Sequence, residues 1–301
     1  MQMSRRVVIF LLCALWIAAV AARVSTTSPR DTPYYDGASA MAYRHAMEVA
    51  EGHSLSAHDV KAGSPSGYVP DRYRAAGAEV ITGLAYRAVH LVSEIDGRPF
   101  TRRFIVILAA LCVFTAYGVA SRLWGSRGAG LLAAFLVAFM PPLVKTTNGR
   151  EFTHVIFAAF FVSLHAALAL RALFPHRDDP GGRMTVPVRM LGAALAAFVL
   201  LWVWEPAPYL IAAWVVPVAL MGRFDVRLRR WFVVSQALTM LAATCVLPHL
   251  LATHAFGSWM VAAAVSAAVA ALLPGRARAQ WRAPAVFVAG TLLLTVVATP
   301  L

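Results

Sequence analysis

Long apolar stretches alternate with short polar ones along most of this chain. A helix needs about 20 mostly apolar residues to cross the ~30 Å hydrocarbon core of a bilayer, and only a helix satisfies its own backbone hydrogen bonds there. Nine stretches approach this length, covering approximately residues 7–22, 104–123, 131–144, 155–174, 190–204, 209–221, 231–251, 259–273 and 286–301. The pattern predicts an all-α, polytopic transmembrane helix bundle of about nine spans.

One long polar segment interrupts this alternation. We predict a first transmembrane anchor over residues 1–22, a large extracytoplasmic loop with amphipathic helices over residues 23–103, and a multi-span bundle over residues 104–301. The first stretch resembles a secretory signal because Arg5 and Arg6 precede it, but we expect an uncleaved anchor. Around Glu205, the fifth and sixth stretches are predicted to form a hairpin rather than one broken helix.

The composition agrees with a lipid-buried chain, since 60% of the residues are hydrophobic and 14% are charged. A net charge of +13 would suggest a nucleic-acid partner in a soluble protein. Here, with the N-terminus placed in the cytoplasm, the short outer loops hold only Lys145 and Arg150 as basic residues. This asymmetry follows the positive-inside rule. We therefore expect a multi-pass cell-membrane protein whose partner is the lipid bilayer, with no nucleic acid.

The cysteines do not predict an extracellular disulfide framework. Cys13, Cys112 and Cys245 all fall in predicted spans, where they cannot form disulfide bonds within an outer domain. Chemistry in water is expected instead in the outer loop, which holds nine of the chain's 14 acidic residues.

Within that loop, Asp36 precedes a predicted helix over residues 38–51 that stops at Gly52, because glycine commonly ends helices. An aspartate in this position usually caps the helix. Its placement near membrane level also suits a reactive carboxylate, and both interpretations stay open.

A second acidic feature lies in the short outer loop before the fourth span. Glu151 and His154 are three positions apart at the predicted start of a helix, so they can share one face and hold a divalent cation. Alternatively, Glu151 complements the helix dipole and His154 rests at the membrane interface. A third feature is Glu205, flanked by aromatic residues that suit the interfacial belt.

This layout resembles the GT-C superfamily of membrane glycosyltransferases, and most of all the catalytic subunit of oligosaccharyltransferases. The resemblance is carried by the segment from Tyr34 to Gly52 and by the sequence Gly-Arg-Glu-Phe-Thr-His over residues 149–154. It differs from the family's second motif, which usually has two acidic residues spaced by one. Protein mannosyltransferases and lipid-A aminoarabinose transferases share the general layout and are not excluded.

The resemblance implies transfer of a sugar or oligosaccharide from a polyprenyl-phosphate or polyprenyl-diphosphate carrier to a protein or glycan acceptor at the extracytoplasmic face. It implies Asp36 and Glu151 as catalytic residues, a divalent cation (Mg or Mn) held by Asp36, Glu151 and His154, and substrate binding by Arg150, Glu205 and Tyr35. Arg150 suits a donor phosphate because a guanidinium matches phosphate oxygens, but it suits an interfacial anchor equally well. Without a cation, Asp36 would act as a general base.

Alternatives from other classes remain open. They are a transporter or flippase of lipid-linked sugars and a non-catalytic membrane subunit. A transporter more often carries charges in mid-span, and here His165 is the clear example. Oligosaccharyltransferases also contain further spans and a Trp-Trp-Asp motif that these 301 residues lack. The sequence thus fits a fragment, a degenerate relative or a compact member that uses another acceptor.

Overall fold

The computed structural model describes residues 3–26, 37–55, 75–174, 185–220, 226–252 and 259–272, and in these ranges the chain forms helices and no strands. The helices are α1 Arg5–Ser25, α2 Gly37–Ala50, α3 Gly77–His90, α4 Gly97–Ala110, α5 Cys112–Leu123, α6 Arg127–Phe139, α7 Pro141–Thr146, α8 His154–Leu173, α9 Thr185–Val203, α10 Ala207–Leu220, α11 Val226–Val246, α12 Pro248–Ala252 and α13 Trp259–Leu272. The predicted all-α class is confirmed.

Within the described ranges, three helices are long and apolar enough to cross a membrane: α1, the nearly continuous α4–α5 pair over Gly97–Leu123, and α8. Four shorter apolar helices accompany them, at Arg127–Phe139, Met190–Val203, Ala207–Ala219 and Met260–Val269. The chain is therefore a helical membrane protein. The ninth predicted span, over residues 286–301, lies outside the described residues, so the count of nine stays a prediction.

Prolines divide two of the predicted spans. The third, expected as one helix over residues 131–144, is split because α6 ends at Phe139 and α7 begins at Pro141. Met140 between them has a ψ of 114°, outside the helical region. A residue before proline avoids the helical conformation, and proline donates no backbone hydrogen bond. The same rule explains why α11 ends at Val246, just ahead of Pro248.

The chain divides into two compact units, Met1–Pro70 with Ala76–Ala167 and Asp71–Ala75 with Leu168–Leu301. In the first unit, α1 packs on α4, α5 and α6 through a buried cluster that comprises Val8, Leu12, Ala19, Ala110, Val113, Ala134 and Ala138. The many alanines let these helices approach closely, as is usual in membranes. The Arg127 side chain donates to the Met3 carbonyl at one end, and Arg23 donates to the Ala138 carbonyl at the other. Helices α1 and α6 therefore run parallel.

The segment between α1 and α4, predicted to be extracytoplasmic, contains α2 and α3, which pack together. Gly83 of α3 lies so close to α2 that a Cβ there would be 2.4 Å from the Ala46 carbonyl oxygen. The predicted end of α2 at Gly52 is confirmed: Gly52 has a φ of +88°, and the next amide, of His53, donates back to the Glu48 carbonyl.

In α2, burial raises the pKa of the Tyr43 phenol above its ordinary value, and the nearby Arg98 partly opposes this shift.

In the second unit, residues 204–206 separate α9 from α10, and the predicted hairpin between these two helices stays a prediction. The Ala207 amide donates to the Trp204 carbonyl at 3.1 Å and closes the turn. Proline at position 206 suits such a connection because it cannot continue the preceding helix. The buried side chains of α10 include Ile211, Val215 and Val218, so this helix is packed rather than peripheral.

Candidate functional site

Residues 147–154, which comprise the connection between α7 and α8 and the first residue of α8, carry three of the predicted site residues. Thr147, Asn148 and Phe152 are buried, whereas Arg150 and Glu151 are exposed. The loop thus turns apolar and neutral polar groups inward and two charged side chains outward. Contacts from other helices hold it at three points, and we call it the anchored loop.

The first point is Thr147, at the end of α7. The Arg23 side chain from α1 donates from Nε to Thr147 Oγ1 at 2.8 Å, and this hydroxyl in turn donates to the Leu143 carbonyl at 2.5 Å. Arg23 is only 1% exposed. The C-terminal end of α1 is therefore fixed to the start of the anchored loop.

The second point is Gly149, which packs on the backbone of α4. Its φ is +79°, a conformation that other residues rarely adopt, and a Cβ there would lie 2.7 Å from Arg102 Cγ and 2.8 Å from the Arg102 carbonyl oxygen. Just before it, Asn148 Oδ1 accepts a hydrogen bond from the Arg150 amide at 3.2 Å. Only glycine allows the loop to approach α4 this closely.

The third point is the far end of the loop. The Phe152 ring packs on Phe157 of α8, with 6.0 Å between ring centroids. At the start of α8, His154 Nε2 lies 3.4 Å from Glu79 Oε1 of α3. The anchored loop is thus tied to α3 in the predicted outer segment as well as to the membrane helices.

Glu79 was not among the predicted site residues, although its side chain is almost completely buried, at 1% exposure. A buried carboxylate is costly unless other groups compensate it, so its contact with His154 is a significant one. The sequence does carry a signal for it: Glu79 lies on the buried face of α3 with Ala78 and Thr82. A carboxylate on the apolar face of an amphipathic helix indicates a specific partner.

Two of the predicted residues, Tyr35 and Asp36, lie outside the described residues, and their roles stay predictions. Helix α2 begins at Gly37, directly after Asp36. Glu151 is described, but it does not lie on a helix, because α8 begins at His154. The prediction that Glu151 and His154 share a helix face is therefore wrong. Phe152 is buried in the core, and α8 begins only two residues after it.

Glu205 lies in the second unit, in the turn between α9 and α10. Its side chain is exposed, and Oε1 accepts a hydrogen bond from the Ala75 amide at 3.3 Å. The carboxylate therefore holds a backbone segment from a distant part of the sequence. His165, within α8, is completely buried, as expected for a polar residue facing the interior of a membrane bundle.

A divalent cation requires convergent ligands, and the donor types in the anchored loop suit one. Glu151 offers carboxylate oxygens, and His154 offers an imidazole that contacts the buried Glu79, an arrangement common around metal-bound histidines. Among the described residues, no three His, Cys, Asp or Glu side chains come together to hold a metal ion. Asp36, the third predicted ligand, lies outside those residues.

Comparison with known proteins gives a fold and no sequence family. The structure resembles the archaeal oligosaccharyltransferase AglB from Archaeoglobus fulgidus, solved with an inhibitory peptide and a dolichol-phosphate, with a TM-score of 0.67 and 15% sequence identity. The alignment covers 96% of this chain and 36% of that one, so this chain spans about a third of the length of AglB. No family model and no curated protein sequence matches. Because the sequence identity is so low, the likeness supports a GT-C-like fold and nothing beyond the fold.

Proposed function

We propose that this protein is a membrane glycosyltransferase that moves a sugar or oligosaccharide from a polyprenyl-phosphate or polyprenyl-diphosphate carrier to a protein or glycan acceptor at the extracytoplasmic face. The observation that carries the proposal is the fold shared with AglB over 96% of this chain. That protein was solved with a dolichol-phosphate and a peptide. A lipid-linked donor and a protein acceptor are the corresponding substrates proposed here.

The anchored loop supplies local chemistry that suits this reaction. In the transfer, the bond between the sugar's anomeric carbon and the carrier phosphate oxygen breaks, a bond to the acceptor atom forms, and the acceptor loses a proton. The phosphate leaves as an anion, so positive charge close to it lowers the barrier. Exposed Arg150 is our candidate for contact with this phosphate, since a guanidinium matches phosphate oxygens.

For the cation, we propose Asp36, Glu151 and His154 as ligands, with Glu79 orienting the His154 ring. A bound Mg²⁺ or Mn²⁺ would neutralise negative charge on the phosphate oxygens of the donor. Tyr35 and Glu205 are proposed as substrate-binding residues. If no cation takes part, Asp36 is instead proposed to accept the proton of the acceptor group.

The test uses the full chain in nanodiscs with synthetic donors: a polyprenyl-phosphate hexose and a polyprenyl-diphosphate chitobiose. Sugar transfer and release of the carrier phosphate are both measured. We expect Asp36→Asn and Glu151→Gln each to lower turnover by about a hundredfold or more, because losing a charge that stabilises a transition state costs several kcal/mol. Asparagine can still cap a helix, so an aspartate that only caps α2 predicts near-normal turnover.

Glu94→Gln serves as the matched control, since Glu94 is an exposed carboxylate in the same outer segment. Expression and thermal stability must be equal across the set. Wild-type turnover by both Asp36→Asn and Glu151→Gln would refute the assigned roles. Movement of the donor across the bilayer without its consumption would identify a flippase, and absence of both activities with every donor would favour a non-catalytic subunit.

A further inference from the structure

The C-terminal turn of α1 contains an arginine that is buried in the protein. Arg23 is 1% exposed, although a long basic side chain near the end of a membrane helix usually extends toward the interface and water. Burying a guanidinium is unfavourable unless its N–H groups are hydrogen-bonded. The partners of this side chain therefore show what it does.

Arg23 donates to oxygen atoms of three different segments. Nε reaches Thr147 Oγ1 at 2.8 Å, and Nη1 reaches the Ala19 carbonyl at 3.0 Å and the Ala138 carbonyl at 3.2 Å. Neither ion pair found among the described residues includes Arg23. Within that part of the chain the positive charge is thus stabilised by peptide and hydroxyl dipoles, and the Ala138 carbonyl lies at the C-terminus of α6, which favours cations.

The contact with Ala138 follows from the break between α6 and α7. In an uninterrupted helix, this carbonyl would accept from the amide of residue 142, four positions later. Residue 142 is proline, which has no N–H. A buried carbonyl without a donor is costly, and Arg23 provides that donor from a neighbouring helix.

We infer that Arg23 is a positioning residue for the proposed transfer site. Its guanidinium joins the ends of α1, α6 and α7, and α7 leads into the anchored loop, so Arg23 sets where the exposed Glu151 is held, four residues after Thr147. One side chain therefore joins the C-terminus of α1 to the start of the loop that carries Glu151. The functional part of this inference rests on the proposed glycosyl transfer, whereas the structural part does not.

The structural part is tested first, without any activity. A nitroxide label is attached through Glu151→Cys in a chain whose Cys13, Cys112 and Cys245 are replaced by alanine. The matched label uses Trp124→Cys, since Trp124 is exposed and lies at the opposite end of α5 and α6. We expect Arg23→Met to increase the mobility of the label at position 151 in the electron paramagnetic resonance spectrum and to leave the label at position 124 unchanged. Unchanged mobility at both positions would overturn the inference.

Thr147→Val provides a second variant in case Arg23→Met does not fold. It removes the hydroxyl that accepts from Arg23 and keeps the shape of the side chain. A smaller increase in mobility at position 151 is expected. If the two substitutions act through one contact, their combined effect is less than the sum of the separate effects. Normal mobility of the label at position 151 in Thr147→Val would contradict the inference that the contact between Arg23 and Thr147 holds the loop. Mobility increases that add up exactly in the double variant would contradict it as well.

The kinetic part uses unlabelled protein and the synthetic donors named above. We expect Arg23→Met to lower kcat by about tenfold and to change KM by less than about twofold, because misplaced groups weaken the transition state more than the initial complex. Arg23→Lys, which keeps the charge but not the planar fork of donors, should restore part of the loss. A normal kcat in Arg23→Met, together with increased mobility of the label at position 151, would overturn the positioning role of Arg23. If the wild-type protein turns over no donor, the proposed function is wrong. The spectroscopic experiment still tests whether Arg23 holds the anchored loop in place.

Discussion

Two connections between apolar helices, both predicted to face outward and both carrying a glutamate, are built in different ways. The anchored loop comprises residues 147–154 and is held by side-chain or backbone contacts with Arg23, Glu79 and Arg102, which belong to three other helices. The turn over residues 204–206 closes through its own backbone, where the Ala207 amide donates to the Trp204 carbonyl. The first is specified by distant residues and the second mainly by local ones.

The difference shows what it takes to hold an exposed functional group on a long loop. Ordering one residue costs about 1–2 kcal/mol of backbone entropy, so the seven residues between α7 and α8 need compensating contacts that the three residues between α9 and α10 do not. In the anchored loop those contacts are buried, and the charged groups between them remain exposed. Substitutions at the buried contacts should therefore disturb the loop strongly, while changes in the short turn should have small effects.

The largest effect is expected from Gly149→Ala. The new Cβ would collide with the backbone of Arg102, and alanine is strained at a φ of +79°. Strain and overpacking together should lower the free energy of unfolding by about 3 kcal/mol or more. The measurement is the thermal unfolding midpoint of the detergent-solubilised protein.

Gly125→Ala is the control for this substitution. Gly125 also has a positive φ, of +60°, but a Cβ added there would have no other atom within 4 Å. Here only the backbone conformation is penalised, at about 1 kcal/mol. Equal midpoints for the two variants would show that the contact with Arg102 does not hold the loop.

An intermediate effect is expected from Glu79→Gln. This substitution removes the charge of a buried carboxylate next to His154 and should lower the free energy of unfolding by about 1–3 kcal/mol. In contrast, Glu151→Gln, on the exposed part of the anchored loop, should change the free energy of unfolding by less than about 0.5 kcal/mol while it lowers the proposed turnover by about a hundredfold or more. Unfolding midpoints and donor turnover are measured on the same preparations. A Glu79→Gln protein of wild-type stability would contradict the structural role of Glu79. A clearly destabilised Glu151→Gln protein would contradict the view that Glu151 acts only in the reaction.

The smallest effect on stability is expected from Glu205→Gln in the short turn. The amide oxygen of glutamine can still accept from the Ala75 amide, so the free energy of unfolding should change by less than about 0.5 kcal/mol. If Glu205 binds substrate as proposed, KM should rise several-fold with kcat unchanged. Glu205→Ala, which removes the acceptor, separates the two roles. A marked loss of stability in Glu205→Gln would mean that this turn also depends on distant contacts.

Local features of the sequence predicted much of the fold. The apolar lengths located the long helices, Gly52 marked the end of α2, and the prolines around position 206 marked the break between α9 and α10, because each of these signals acts within a few residues of the structure that it determines. The break before Pro141 was missed although both prolines are visible. The apolar run continues across them, and hydropathy takes no account of backbone donors.

The contacts of the candidate site were harder to predict. Arg23 and Thr147 are 124 positions apart, and Glu79 and His154 are 75 positions apart, so no periodicity in a single sequence links either pair. The sequence placed Arg23 at the start of a solvated loop, whereas α1 continues to Ser25 and buries it. Pairings of this kind depend on how helices pack, and helical spacing alone does not specify that.

The broken junction between α6 and α7 has an evolutionary consequence. Pro141 and Pro142 create a carbonyl that needs an external donor, and Arg23 supplies it. We therefore expect the three residues to be inherited together, although Arg23 and the prolines lie on different helices. A descendant that replaced both prolines would be freer to lose the arginine, whereas loss of the arginine first would leave the Ala138 carbonyl without its donor. In related sequences, positions 23, 141 and 142 should consequently change together.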